Sequence, residues 1–462
     1  MFDDSVRHYA KAQEWTAVQE FAQKSLMIQI IVEAAQLHAT VQGLPAVQVL
    51  PLTLPMIQIT VEAAQSPVKA PECPVAQCAG EICCNGSCID RQNDPFNCGG
   101  CGYKCPAGVF CENGACFCAT FQAPAQYNVG STPQGVAVGD LNEDGHLDIV
   151  TANYYNNTVS VLLGTGSFFQ SWVTFNVGNG PFAVALGDIN GDGHLDLITP
   201  NWLSGTVSIL LGNGLGSFQS PTEFNVGVNP TEIALGDLNG DGHLDIVVAN
   251  SGSNTVSVLL GTGPGSFQSQ IVFNVGTSPN GITLGDMNED GNLDIVVANT
   301  NSHSVTVLLG NGSGGFQSQT LSSVGFYPFS VAVGDLNEDG HLDIAVTNPN
   351  NETVTVLFGT GSGTFQGIAL LGVRRDAYNL RLGDLNNDGH LDIVVTNPNS
   401  YTVTVFLGYG SGSFSAGLSF AAGDMSFALA LGDLDGNHYL DIVTANAGAS
   451  TVSVLRGAPC RF

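Results

Sequence analysis

The sequence predicts an all-β chain whose larger part is a seven-bladed β-propeller, and three observations carry that prediction. A ten-residue phrase, Gly-Asp-Leu-Asn-x-Asp-Gly-x-Leu-Asp, recurs with its first Asp at 140, 188, 237, 286, 335, 384 and 433, at intervals of 48 and then five times 49 residues. A second phrase, Val-Leu-Leu-Gly or a close variant, keeps the same period and ends at Gly164, Gly212, Gly261, Gly310, Gly359, Gly408 and Gly457. Between these markers apolar residues alternate with period two and no helical period appears. Seven copies of a unit of about 40 to 50 residues match four-stranded blades set in a ring.

The first unit places its strands at Gly135–Gly139, Leu147–Ala152, Thr158–Leu163 and Val173–Val177. After Gly457 only five residues remain, so the seventh unit has no fourth strand of its own. Phe121 to Gly130 has the sequence of one: Phe121-Gln122 matches Phe169-Gln170 and Phe218-Gln219, and Asn128-Val129-Gly130 matches Asn176-Val177-Gly178. The ring is therefore expected to close by pairing this N-terminal strand with the third strand of the seventh unit. An Asn keeps the period as well, at 153, 201, 250, 299, 348, 397 and 446.

Composition narrows the function. With 44% hydrophobic residues among 462 the chain has material for a large core. Charge is scarce and lopsided, 40 Asp and Glu against 11 Lys and Arg, for a net charge of -29. No lysine follows Lys104, which excludes a nucleic-acid partner, since phosphates need cations, and disfavours an anionic membrane surface. No apolar run is long enough to span a membrane.

Eleven of the twelve cysteines lie between Cys73 and Cys118, and the twelfth is Cys460. Their spacing forms no pair of clean zinc half-sites and the segment holds no histidine, so a disulfide framework is expected. Disulfides imply an oxidising compartment, hence a secreted or cell-surface protein. Met1-Phe2-Asp3-Asp4 is acidic and lacks the basic start of a cleaved leader, so this inference rests on cysteine usage alone. Strand pairing at the closure brings Cys460 toward Cys116 or Cys118, and a disulfide to one of them is expected.

Three domains follow: a partly helical leader or linker over 1–70, a cysteine-rich disulfide module over 71–118, and the propeller over 119–462. The leader has a helical stretch from Val6 to Gln23 and a duplicated phrase, Met27 to Gln36 and Met56 to Gln65, with no chemistry assigned to it. Cys83-Cys84-Asn85-Gly86-Ser87-Cys88, Asn97-Cys98-Gly99-Gly100-Cys101-Gly102 and Cys111-Glu112-Asn113-Gly114-Ala115-Cys116 together resemble the small Stig1-like cysteine-rich modules of secreted plant and bacterial proteins.

The repeated acidic phrase is where chemistry concentrates. Acidic or amide side chains at loop positions 1, 3, 5 and 9, with Gly at 6, set several hard oxygens in one turn, and calcium takes six to eight such ligands. The first loop offers Asp140, Asn142, Asp144, the carbonyl of His146, and Asp148. The next offers Asp188, Asn190, Asp192, His194 and Asp196, and the third Asp237, Asn239, Asp241, His243 and Asp245. The fourth has Asp286, Asn288, Asp290, Asn292 and Asp294, and the fifth Asp335, Asn337, Asp339, His341 and Asp343. The sixth has Asp384, Asn386, Asp388, His390 and Asp392, and the seventh Asp433, Asp435, Asn437 and Asp441. Up to seven calcium ions are expected, with the seventh site weakest because His438 replaces the glycine. The histidines at position 7 are read as carbonyl donors with exposed side chains, not as a transition-metal array.

These loops resemble the FG-GAP and VCBS repeats of integrin α-subunits and of many secreted bacterial and fungal proteins. The resemblance spans about 340 residues and implies calcium-stabilised blades with adhesion or glycan binding. The expected function is a calcium-binding adhesion or recognition protein with glycans or extracellular proteins as partners. The alternative is a polysaccharide-acting lyase or hydrolase. Catalysis would need convergent acids or cations that do not repeat, and 21 Asp are already assigned to the loops, so no catalytic residue is named. The aromatic residues after the periodic Asn, at Tyr154-Tyr155, Trp202 and Tyr401, are candidates for stacking on sugar rings. The cluster Arg374-Arg375-Asp376 with Arg381 is a candidate cationic spot for an anionic sugar.

Overall fold

The computed structural model describes residues 120–321, 324–373 and 376–458, preceded by short strands at Ile82–Cys84, Ser87–Ile89, Phe110–Glu112 and Ala115–Phe117. These four pair as two small antiparallel hairpins in the cysteine-rich segment. The helical leader expected over 1–70, the cysteine pairing and Arg374-Arg375 lie outside the described residues.

Seven four-stranded antiparallel sheets follow one another along the chain. In the first, Pro133–Gly139 pairs with Asp148–Asn153, which pairs with Thr158–Leu162, which pairs with Val173–Asn176. The second strand of every sheet is buried at all six positions, as in Asp245–Asn250 with its run Ile-Val-Val-Ala, because a neighbouring sheet covers each face. The fourth strand of the first three sheets is the opposite: only the third of its four residues is partly shielded in Val173–Asn176, Thr222–Asn225 and Ile271–Asn274. Burial thus falls from the middle of each blade to the outer rim.

The blades share no single core. Each apolar layer is built by two neighbours: Val150, Val159 and Val161 of the first sheet meet Leu197 and Leu210 of the second. Another joins Val136 and Ile149 of the first to Ala428, Val443 and Val454 of the last, which closes the ring. Gly139, at the end of the first strand, makes this packing possible, since a Cβ there would stand 2.8 Å from Leu186 Cδ1 of the next blade.

Closure follows the expected pairing with one change. The strand read as continuous from Phe121 divides in two: Ala125–Asn128 pairs with Thr451–Leu455, and Thr120–Phe121 pairs with Gly457–Ala458. Four other blades have the same break, where Gly164 bridges Phe169, Gly212 bridges Phe218, Gly261 bridges Phe267 and Gly408 bridges Phe414, whereas in the fourth and fifth blades the outer strand runs on from the Phe without interruption. The Phe of this motif reaches the outer strand of the preceding blade edge to face: Phe218 on Phe175 at 5.2 Å, Phe267 on Phe224 at 5.3 Å, Phe169 on Tyr127 at 5.1 Å, and Phe121 on Phe420 at 4.9 Å. Gly457 to Phe121 and Ala458 to Thr120 are the last described pairs, two residues short of Cys460 and Cys118.

Strand direction sorts the loops onto two faces. Gly139 pairs with Asp148 and Pro133 with Asn153, so the acidic loops leave one end of the blades and the turns after the periodic Asn leave the other. The first strand lines the central channel, and near the non-acidic end its register slips between Pro133 and Gly135, Pro230 and Ile233, Pro279 and Ile282, and Ser426 and Ala428. Such bulges re-aim side chains, here around the channel mouth.

Phe121→Ala removes the closing strand's ring contact and should lower stability by about 2 kcal/mol, read as a lower denaturant midpoint. Peptide mapping of unreduced protein should find Cys460 joined to Cys118 or Cys116; a free Cys460 thiol would show that backbone pairing closes the ring without sulfur.

Candidate functional site

Each acidic loop is organised around its last Asp. Asp148, Asp196, Asp245, Asp294, Asp343, Asp392 and Asp441 are wholly buried. One oxygen accepts the amide of loop position 2, at 2.8–3.0 Å. The other accepts the amide of the Gly that ends the Val-Leu-Leu-Gly phrase, at 2.7–2.8 Å. The two recurring phrases of the sequence are thus the two halves of one clamp. The glycine is needed for proximity: a Cβ on Gly164 would stand 2.3 Å from the Leu147 carbonyl oxygen.

The remaining loop residues cap the turn. In the first loop the Gly145 amide donates to Asp140 Oδ2 at 2.9 Å and the Asp144 amide to Asp140 Oδ1 at 3.2 Å. The His146 amide donates to Asp144 Oδ1 and Asn142 Nδ2 to Asp144 Oδ2, each at 2.9 Å. Gly145 takes φ 84, open to glycine at no steric cost. Loops two to six repeat the pattern, as in Asp237, Asn239 and Asp241.

Electrostatics separates the carboxylates. The position 7 amide, first among the causes, lowers the carboxyl pKa of Asp192, Asp241 and Asp290. Burial raises the position 9 carboxyls in spite of their two amide donors, Asp148 and Asp441 to about 6 and Asp392 to about 7. A carboxylate held in a desolvated place beside two like charges is the donor chemistry that a hard divalent cation satisfies. Only Asp148 and its counterparts are carboxylates of that kind; Asp140 and Asn142 are half-buried and Asp144 is exposed, and they add carboxylate and amide oxygens at the surface of the same loop.

The seventh loop is built differently. Asp433, Asp435 and Asp441 bring carboxylate oxygens within 4.8 Å of one another, the one such acidic group among the described residues. Arg456 Nη1 lies 3.1 Å from Asp435 Oδ2 and also donates to the Gly166 carbonyl, while Nη2 donates to the Ser167 carbonyl. Arg456 stands where the other units carry Leu163, Leu211, Leu260, Leu309, Phe358 and Leu407. His438 takes the glycine's left-handed conformation at φ 70, and Asn437 Nδ2 turns to the Gly457 carbonyl.

The position 7 histidines are not idle surface side chains. Where the preceding loop has Glu at position 4 the imidazole engages it, in the pairs His194 with Glu143, His341 with Glu289 and His390 with Glu338. The hydrogen bond to that Glu raises the pKa of His194 and His341. These pairs link one blade to the next, and their rule, Glu at position 4 and His at position 7 one unit later, was available in the sequence.

On the opposite face three of the four named aromatics come together. Tyr154 packs on Tyr155 at 5.3 Å and faces Trp202 at 6.2 Å. The turns are pinned by Tyr154 N to Thr132 O at 3.1 Å and Trp202 N to Gly180 O at 2.8 Å. Gly180, at φ 68, leaves room for the Tyr154 ring. With Thr132, Gln134, Phe182, Thr231 and Asn280 these rings line a cleft of about 320 Å³, and Tyr155 is 72% exposed. Tyr401 stands apart on the sixth blade, exposed, after the 3₁₀ turn Pro398–Ser400.

The cleft runs into the channel, sharing Gln134, Phe182, Thr231 and Asn280 with a cavity of about 270 Å³. One residue per blade rings this cavity: Gln134, Phe182, Thr231, Asn280, Phe329, Tyr378 and Phe427. The column was missed from the sequence because it does not repeat, and its regular spacing was the signal. Arg381 does not form a cationic spot with Asp376. Its guanidinium turns into the channel, 3.3 Å from Glu232 Oε1 of the third blade, while Asp376 accepts from Asn399.

In chelator, Asp245→Ala leaves the Leu238 and Gly261 amides buried without an acceptor and should cost about 2–4 kcal/mol. Asp241→Ala, exposed, should cost about 1 kcal/mol or less; equal losses in chemical denaturation would refute the clamp. Because the position 9 carboxyls have folded pKa values above their ordinary 3.8, the folded chain binds more protons than the unfolded one between pH 3.8 and about 7. Ion-free stability should therefore fall as pH rises through that window, seen as a lower thermal midpoint at pH 8 than at pH 5.

An FG-GAP-like repeat model matches residues 140–199, 202–248, 237–297, 286–346, 335–395 and 384–444, and a model of the stigma-specific STIG1-like protein family matches residues 58–119. No curated protein matches the chain. Among solved structures, BBS1N in complex with ARL6DN is similar at 15% identity and TM-score 0.54, covering 74% of this chain and 98% of that one. A catalytically inactive virginiamycin B lyase from Staphylococcus aureus, solved with quinupristin, is similar at 12% identity and TM-score 0.51, over 73% and 99%. A protein from Lactobacillus plantarum is similar at 15% identity and TM-score 0.50, over 65% and 88%. At such identities these likenesses speak for the propeller fold alone. The repeat model covers well over half of the residues, and the chain belongs to the FG-GAP-like repeat family.

Proposed function

We propose that this chain is an extracellular recognition propeller that binds glycans in the cleft of Tyr154, Tyr155 and Trp202 and is stabilised by calcium in its acidic loops. The observation that carries the glycan reading is the cleft itself: three aromatic side chains from adjacent blades, solvent-accessible and flanked by hydroxyl and amide groups. Flat apolar faces beside a few polar groups are what a sugar ring requires. The extracellular setting rests on the twelve cysteines.

Calcium supports this role from a distance. The acidic loops lie at the other end of every blade from the cleft, so an ion there holds the scaffold and does not touch the ligand. In loops one to six the ligands are the side chains at positions 1, 3, 5 and 9 with the carbonyl at 7. In the seventh the Arg456 guanidinium supplies the positive charge, which gives a stoichiometry of six.

Calorimetric titration should find six calcium ions per chain and five in Asp241→Ala; seven would show that Arg456 does not exclude an ion. On a glycan array the full chain should bind saturably in millimolar calcium, and Trp202→Ala should weaken binding about tenfold or more with an unchanged thermal midpoint. Excess EDTA should lower that midpoint and abolish binding only where the chain unfolds. A silent array in calcium would sink the glycan reading and redirect the cleft to protein partners.

A further inference from the structure

Resting on the glycan reading, we infer that the channel beyond the cleft is an end-binding site for one uncharged pyranose ring, held by Glu232, Arg381 and the aromatic arc Phe329, Tyr378 and Phe427. The placement of the charges is the first reason. Glu232 sits in the bulge that opens between Pro230 and Ile233, and Arg381 reaches it from the sixth blade, across the lumen. The positions equivalent to Arg381 are Ala in five blades and Thr in one, so the fold needs no cation there. A partly buried ion pair is weak evidence for a stabilising role, since desolvation offsets much of its attraction.

Accessibility is the second. The two side chains remain 37% and 20% exposed, within a cavity of about 270 Å³ that opens into the cleft. That space holds roughly nine waters, room for one pyranose ring. Phe329 and Tyr378 lie 4.4 Å apart and Tyr378 and Phe427 5.3 Å apart, giving a continuous apolar wall beside the charged pair.

Charge balance sets the ligand class. The pair is neutral as a unit, and a ligand bearing one charge would part it and strand the other member in the channel without a partner. Neutral hydroxyls can accept from the guanidinium and donate to the carboxylate while the pair stays together, with the ring's C–H face on the arc. Longer glycans then enter end first, with inner sugars on Trp202 and Tyr155.

The test is saturation-transfer NMR and calorimetry on the full chain. The probes are the methyl pyranosides of glucose, galactose, mannose and N-acetylglucosamine, with glucuronate as the charged comparison. At least one neutral glycoside should bind and glucuronate should not. Affinity should fall tenfold or more in Glu232→Gln and in Tyr378→Leu, with thermal midpoints kept; if either variant unfolds, Arg381→Lys, which keeps the charge and loses the fork, gives the same reading. No binding by any neutral glycoside, tighter binding of glucuronate, or wild-type affinity in the folded variants would overturn the inference. If the glycan array is positive while these glycosides do not bind, the channel site falls and the cleft stands. If glycosides bind through Glu232 while Trp202→Ala leaves array binding intact, the cleft falls and the channel stands.

Discussion

The buried carboxylate at the end of each acidic loop is the interaction on which the rest depends. Asp245, for example, joins the start of its own loop through Leu238 and the end of the third strand through Gly261, and so fixes three segments of a blade at one point. A carboxylate without exposure is expensive unless its oxygens are met, and the two backbone amides meet them only in part, as the raised pKa of these groups shows. The same tension that makes the clamp sensitive to pH gives a cation a favourable place to act. Loop structure and protonation are therefore coupled in each unit.

Repetition imposes this clamp seven times, so departures from it carry information. Most positions must satisfy the same packing against a neighbour, and Gly139 or Ile149 has little freedom to vary. Residues facing the lumen answer to no such neighbour. There the chain places Glu232, Arg381 and an uneven set of aromatics. At the seam between the last blade and the first, Arg456 takes a leucine position and ties Asp435 to the Gly166 and Ser167 carbonyls. A cation belonging to the chain itself stands at the one place where the ring is closed by two distant parts of the sequence.

The two faces divide their tasks by geometry. Acidic loops, Glu–His pairs and the clamp lie at one end of the blades, where loop one meets loop two and loops four to seven meet in succession. At the other end the periodic Asn, wholly buried, ties its turn to the third strand, as Asn250 does through Ser257 Oγ at 2.9 Å. That knot leaves the residues after it free to differ, and the first two blades use this freedom for Tyr154, Tyr155 and Trp202. A rigid base with variable tips is the arrangement on which binding surfaces are commonly built.

The sequence by itself determined the blade count, the four strands per blade and the closure by the segment from Phe121, because alternation and a strict period are local properties that survive without coordinates. It also located the loop oxygens, since Asp140 through Asp148 lie within nine residues of one another. Only the tertiary structure decided that the Asp and Gly phrases form one clamp, that Arg381 faces Glu232 rather than Asp376, and that Tyr154 meets Trp202 while Tyr401 stands alone. The clamp joins residues 16 positions apart through the pairing of strands within a blade, whereas Arg381 and Glu232 are 149 positions apart and meet only through the curvature of the ring. Curvature arises from the packing of whole blades, which no short stretch of sequence specifies.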